Sequence, residues 1–190
     1  MDYLKEMIRR EGKVLPGNIL KVGSFLNQQI DTDLLKEIGK EIARLYRDDK
    51  PTKILTIESS GIALAVAAGF YLNVPVVFAK KHSSSNVDGA VYTAPVHSYT
   101  HNKDYTVLVS RDYLRREDRV LLVDDFLAMG CALNGLIELV EKAHATLLGA
   151  AIAIEKGFQG GGDLLRKKGI RIESLALIDS MTDSSVTFRE

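Results

Sequence analysis

Hydrophobic positions along this chain switch repeatedly between the spacing of a helix and the apolar run of a buried strand, which predicts alternating helices and strands. Leu4, Met7 and Ile8 mark a short amphipathic helix stopped by Gly12, and Val14 to Phe25, broken by Pro16-Gly17, reads as strand and loop. Leu34, Leu35, Ile38, Ile42, Leu45 and Tyr46 share one face of a longer helix, capped by Asp31 or Asp33 and ended before Lys50-Pro51. Ile54 to Ile57 is a strand, Glu58-Ser59-Ser60-Gly61 a tight turn, and Ile62 to Leu72 a helix. Pro75 to Ala79 gives the next strand, ending at Lys80-Lys81-His82, and Ser83 to Gly89 is a polar loop. Ala90 to Tyr99 and Tyr105 to Ser110 pair as a β-hairpin about a turn at Thr100 to Asp104. Val120 to Val123 is a wholly apolar strand, and Leu133, Leu136, Ile137, Val140 and Ala143 carry the helix after it. Leu147 to Ile154 forms another strand, Gln159-Gly160-Gly161-Gly162 a flexible connector, Leu164 and Leu165 the start of a short helix, and Ile170 to Ile178 and Val186 to Phe188 late strands. Such an order builds an α/β fold with a mainly parallel sheet flanked by helices on both faces.

Candidate chemistry gathers where the Val120 to Val123 strand ends. Asp124 and Asp125 stand at its carboxyl end, the place where open α/β sheets bind ligands. Ala128-Met129-Gly130-Cys131-Ala132 then enters a helix with no Ser, Thr, Asp or Asn to cap it. Its first N–H groups lack an obvious protein acceptor, and together with the helix dipole they suit a phosphate. Paired acids beside a phosphate cradle call for a ligand with both a phosphate and hydrogen-bond donors, as a sugar phosphate has. Cys131, in the first helical turn, is expected to feel the positive dipole, which favours its thiolate.

Two other nucleotide and phosphate architectures are excluded. A P-loop hydrolase needs Gly-x-x-x-x-Gly-Lys-Ser/Thr, which is absent. A phospho-receiver domain places its paired acids near its start, whereas here they fall at 124 and 125 of 190 residues. The turn Glu58 to Gly61 is a second strand-to-helix junction of small polar residues; its N–H groups and the Ser59 and Ser60 hydroxyls suit either a further phosphate group or simple helix capping. Lys80 and Lys81 can bind a polyphosphate or form a solvated edge, Asn27 is also a favoured turn residue, and Lys156 is also an ordinary surface cation.

Composition narrows the setting. Apolar residues make up 46% and charged residues 26%, and 25 Lys plus Arg balance 25 Asp plus Glu. That is a soluble globular profile sized for one domain, without the basic excess of a broad nucleic-acid binder. One cysteine cannot form an internal disulfide, the charged start at Asp2, Lys5, Glu6, Arg9 and Arg10 has no apolar signal region, and no apolar run spans a bilayer. A cytoplasmic protein without membrane partners is expected. His82, His97, His101 and His144 lack metal-ligand spacing, so no protein-held metal is expected.

The central motif resembles the ribose-phosphate-binding motif of the type I phosphoribosyltransferases. The whole chain is similar to the bacterial xanthine phosphoribosyltransferases of purine salvage, through Phe25-Leu26-Asn27, Glu58-Ser59-Ser60-Gly61, Asp124-Asp125 and Glu155-Lys156. The resemblance implies the type I phosphoribosyltransferase fold over 1–190: a core of about 31–155, a small hood from about 1–30 and 156–190, and a flexible flap formed by the hairpin. It implies transfer of a phosphoribosyl group from 5-phosphoribosyl 1-diphosphate to N9 of xanthine. Asp124 and Asp125 would serve the ribose, and Ala128, Met129, Gly130, Cys131 and Ala132 the 5′-phosphate. Glu58, Ser59, Ser60, Gly61, Lys80 and Lys81 would serve the diphosphate, and Leu20, Asn27 and Lys156 the base. Magnesium is expected, held mainly through the sugar diphosphate, in a homodimer. Met129 and Cys131 stand where similar chains often carry Asn and Gln, so the loop is expected to bind through its backbone. The alternatives are another purine acceptor (hypoxanthine, guanine or adenine), or a non-catalytic purine regulator that senses the sugar diphosphate; the latter carries an added amino-terminal DNA-binding domain for which this chain leaves no room.

Overall fold

The structure is a computed structural model that describes residues 1–81, 89–98, 103–182 and 185–189. Helix α1 (Asp2–Glu11) buries Leu4, Met7 and Ile8, and the short strands β1 (Lys13–Leu15) and β2 (Ile19–Lys21) form an antiparallel ribbon after it. A π-helical turn over Gly23–Asn27 leads to α2 (Thr32–Tyr46), whose cap is Asp31: its carboxylate accepts the Asp33 and Leu34 N–H groups at 3.0 and 2.9 Å. Next come β3 (Lys53–Ile57), α3 (Gly61–Leu72), β4 (Val76–Ala79) and a hairpin of β5 (Val91–Ser98) and β6 (Lys103–Ser110). The chain continues through β7 (Arg119–Leu127), α4 (Cys131–Lys142), β8 (Thr146–Lys156), α5 (Gly161–Lys167), β9 (Ile172–Met181) and β10 (Val186–Phe188). The polar loop over 82–88 and the hairpin tip over 99–102 lie outside the described residues, as do His82 and His101.

One six-stranded sheet, in the order β10-β9-β8-β7-β3-β4, organises the molecule. All its neighbours are parallel except β10, which runs antiparallel to β9. Because side chains alternate across a strand, β7 feeds two cores. Leu121 and Val123 join α1, α2 and α3 on one face, while Val120 and Leu122 join α4 and the hairpin on the other. A strand buried on both faces reads as an unbroken apolar run, which is why the sequence shows no alternation there.

Two expectations are corrected, the end of β7 and the glycine connector. Strand β7 does not stop at Val123 but carries Asp124, Asp125 and Phe126 within its paired length, Asp124 against Ile152 and Phe126 against Ile154 of β8. Segment 156–190 supplies β9 and β10, which extend the hydrogen-bonded ladder of the central sheet beyond β8. Gly160 to Gly162 is no loose connector, since Gly161 and Gly162 are buried and open α5. No helix among the described residues is long and apolar enough to cross a membrane.

Candidate active site

The carboxyl ends of β3, β7 and β8 meet at one edge of the sheet, and β7 supplies its acids. Asp124 and Asp125 are buried, each carboxylate bonded locally: Asp124 Oδ1 accepts the Asp125 N–H and Asp125 Oδ1 accepts the Phe126 N–H, both at 3.0 Å. Burial first, and then the neighbouring Asp125 charge, push the Asp124 carboxyl well above the usual carboxylate range. Asp125 keeps a second contact, the Asn27 amide donating to its Oδ2 at 3.3 Å. A residue 98 positions away in sequence is thereby brought onto the acids.

Lys156 ends β8, the next strand over. Its ammonium donates to the Asn18 carbonyl at 2.8 Å and lies 5.6 Å from the centre of the Phe126 ring. Partial burial lowers its pKa, so it is not the freely solvated cation the sequence also allowed. Leu20 is buried, and both Leu20 and Asn27 border a groove of about 450 Å3 with Lys13, Val22, Ser24 and Gln28. Asn27 thus reaches the acids through the π-helical turn, while Lys156 reaches Phe126, the residue after them, from β8, and Leu20 on β2 shares the groove with Asn27.

Beyond β7 the chain turns at Gly130, whose φ of 86° is a left-handed conformation that suits glycine. Helix α4 begins at Cys131 with no side-chain cap, as expected. Its early N–H groups remain directed at any anion placed there. Burial pushes the Cys131 thiol up, against the expected thiolate.

At the end of β3 the turn into α3 likewise lacks a side-chain cap, so neither Ser59 nor Ser60 is consumed in capping. The Glu58–Ser59 peptide is cis. A Cβ on Gly61 would stand 2.2 Å from Thr56 Oγ1 and 3.0 Å from Asp124 Oδ1, so only glycine lets this turn close on the acids. Thr56 Oγ1 is buried there without a partner among the described residues. Glu58 is engaged elsewhere, its carboxylate accepting the Lys81 N–H at 2.6 Å. The Lys81 ammonium lies 5.6 Å from the Tyr105 ring centre, and its charge reaches Asp124. Lys80 lines a groove of about 900 Å3 with Lys53, Phe78, Leu108 and Tyr113.

Residues 27–180 match the model of the phosphoribosyl transferase domain. The chain belongs to that family. The xanthine phosphoribosyltransferase of Lachnoclostridium phytofermentans is 54% identical over 191 residues, covering 100% of this chain and 98% of its own. Xanthine phosphoribosyltransferase 1 of Clostridium perfringens is 53% identical over 190 residues, with both chains fully covered. Among solved structures, adenine phosphoribosyltransferase from Leishmania tarentolae superposes with a TM-score of 0.77 at 20% identity, over 95% of this chain and 90% of that one. The Giardia lamblia enzyme complexed with 9-deazaadenine gives 0.76 at 23%, over 92% and 96%. At that identity the solved structures speak for the type I fold alone.

In this phosphoribosyltransferase chain, sequence reasoning missed Phe126, Asn18, Thr56 and Tyr105. Phe126 follows the two acids directly at the sheet edge, but because its ring also packs against the core, its place beside Lys156 shows only in the structure. Asn18 and Tyr105 reach the site only through the β1–β2 ribbon and the hairpin, which no local pattern places.

Proposed function

We propose that this chain transfers the 5-phosphoribosyl group from 5-phosphoribosyl 1-diphosphate to N9 of xanthine, releasing diphosphate and forming xanthosine monophosphate in purine salvage. The geometric observation that supports it is the 3.3 Å contact between the Asn27 amide and Asp125, which joins a base-side residue to a sugar-side one at the mouth of β7. Full-length relatives named for xanthine support the choice of base.

The transfer requires positive charge to develop at the anomeric carbon as diphosphate leaves, so catalysis is chiefly positioning and electrostatics. Asp124 and Asp125 accept hydrogen bonds from the ribose hydroxyls and face the developing charge. The N–H groups of 128–132 hold the 5′-phosphate at the start of α4. Ser59, Ser60 and Gly61 hold the diphosphate with Lys81, which Glu58 fixes through its N–H. Lys156 and Asn27 donate to the xanthine carbonyl oxygens, and Leu20 and Phe126 cover its ring. Segment 1–30 acts as the hood, and the β5–β6 hairpin as a flap that excludes water. A magnesium ion would be held mainly by the oxygens of the sugar diphosphate, where it would supply positive charge against the leaving group.

A homodimer in the cytoplasm completes the reading. Val66 and Phe70 lie one helical turn apart on α3, exposed at 38% and 81%, with Phe78 on the edge strand β4 and Tyr113 also exposed. Large apolar side chains left in water at a sheet edge favour a second copy as cover. Steady-state assays with xanthine, hypoxanthine, guanine and adenine in competition test the function. A clear preference for xanthine in kcat/KM is expected, and turnover with another base alone would overturn the assignment.

A further inference from the structure

Glu155 is buried to 1% exposure at the end of β8, one residue before Lys156, and the proposed chemistry makes no use of it. Its carboxylate is gripped by the Arg166 guanidinium of α5 through two bonds, 2.8 and 2.6 Å, and by the Ser174 hydroxyl of β9. A buried carboxylate held this tightly is costly to place, and an apolar cluster would serve stability as well. The three-glycine turn lies directly against this cluster. A Cβ on Gly162 would stand 1.9 Å from Glu155 Oε1, and a Cβ on Gly161 would stand 2.3 Å from the Ala128 carbonyl oxygen and 2.7 Å from the Gly130 nitrogen. The Gly161 N–H donates to that same Ala128 carbonyl at 3.1 Å. The start of α5 is thus wedged between the Glu155 carboxylate on one side and the 128–130 backbone on the other.

We propose that Glu155, Arg166 and Ser174 are positioning residues that, through Gly161 and Gly162, set the 128–132 loop for the 5′-phosphate and tie its position to the strand that presents Lys156. The proposal rests on the reading of that loop as the 5′-phosphate site. The ion pair clamps α5 to the ends of β8 and β9, the absence of side chains at Gly161 and Gly162 lets α5 approach both, and the Gly161 N–H transmits that position to Ala128. Binding through backbone N–H groups makes the loop sensitive to such support, since no side chain there can readjust to follow the phosphate.

The test measures inhibition by ribose 5-phosphate and by inorganic diphosphate, along with thermal stability, in the full-length enzyme. Arg166→Met alone strands a buried carboxylate, so the informative variant is Glu155→Gln with Arg166→Met, which removes both charges together. That double variant and Gly161→Ala should each weaken ribose 5-phosphate roughly tenfold to a hundredfold while leaving diphosphate inhibition unchanged. Arg166→Lys, which keeps the charge and loses the two-pronged geometry, should fall between them and the parent. Gly130→Ala reports on the loop itself. If it weakens ribose 5-phosphate but the double variant and Gly161→Ala do not, the positioning role is overturned. Should Gly130→Ala also leave ribose 5-phosphate binding intact, the phosphate site lies elsewhere and the proposal falls with it. Parallel loss of both ligands together with thermal stability would mark Glu155 and Arg166 as merely structural, which overturns it too.

Discussion

At the scale of single residues, the site is built at the expense of stability. Asp124 is ionised only against burial and against the Asp125 charge beside it, a cost that the Asp125 N–H and the Lys81 charge offset only in part. Asp124→Asn keeps the acceptor for the Asp125 N–H and removes the charge, so it should stabilise the unliganded protein by roughly 0.5–2 kcal/mol. The sign with pH follows from the raised folded-state pKa. The wild type loses stability as pH climbs from the ordinary carboxylate value through the raised one, while the Asn variant does not titrate there. Thermal unfolding should therefore show the two proteins alike at acid pH and separating as pH rises; a gap that closes on going to neutral pH would contradict the burial argument. Turnover in the same variant should drop roughly tenfold to a hundredfold, as expected for loss of a charged hydrogen bond to the ribose. Lys156→Met preserves the apolar stem over Phe126 but removes the ammonium, so the KM for xanthine should rise by a similar factor with inhibition by diphosphate unmoved. Because partial burial lowers the Lys156 pKa, the wild-type KM should climb at a lower pH than an exposed lysine would give, and steady-state kinetics across the alkaline range would reveal it.

At the scale of elements, the strand-turn-helix from β7 to α4 is the unit on which the chemistry stands, and it was the part most legible from sequence. A run of aliphatic residues, two acids and an uncapped helix start are all local signals, and each has a local cause. Cys131 shows where local reasoning stops: its helix-dipole position was visible, but the burial that raises its pKa comes from packing around it. Alkylation at neutral pH should consequently be slow compared with a solvated thiol, accelerate into the alkaline range, and be blocked by ribose 5-phosphate. Mass spectrometry of the modified chain checks this, and fast labelling at neutral pH would mean that the dipole prevails over burial. The glycine turn at 160–162 was misread for a related reason. Composition equates glycine with freedom, yet Gly161 and Gly162 are there because backbone and a buried carboxylate approach too closely for any side chain. Arg166 gave no sign of its partner, since Glu155 lies on another element and the pairing exists only once α5 folds back onto β8.

For the whole molecule, the sheet sets which elements serve chemistry and which serve association. The proposed site takes the ends of β3, β7 and β8, and β4, beside β3, is one margin of the sheet, where Phe78 is exposed while α3 turns Phe70 outward. Lys80 and Tyr113 line the groove along the same margin. Covering a side chain the size of phenylalanine contributes about 1.5–3 kcal/mol, and each such contact occurs twice across a twofold interface. Phe70→Lys places a charge where the partner would bury an apolar ring, a desolvation that a marginal interface cannot absorb. In sedimentation velocity the wild type is expected to run as a dimer and the Phe70→Lys protein as a monomer with unchanged circular dichroism, because a residue so exposed contributes little to the fold of its own chain. If the variant remains dimeric, the α3–β4 margin is not the contact, and the exposed groove beside β4 needs another occupant.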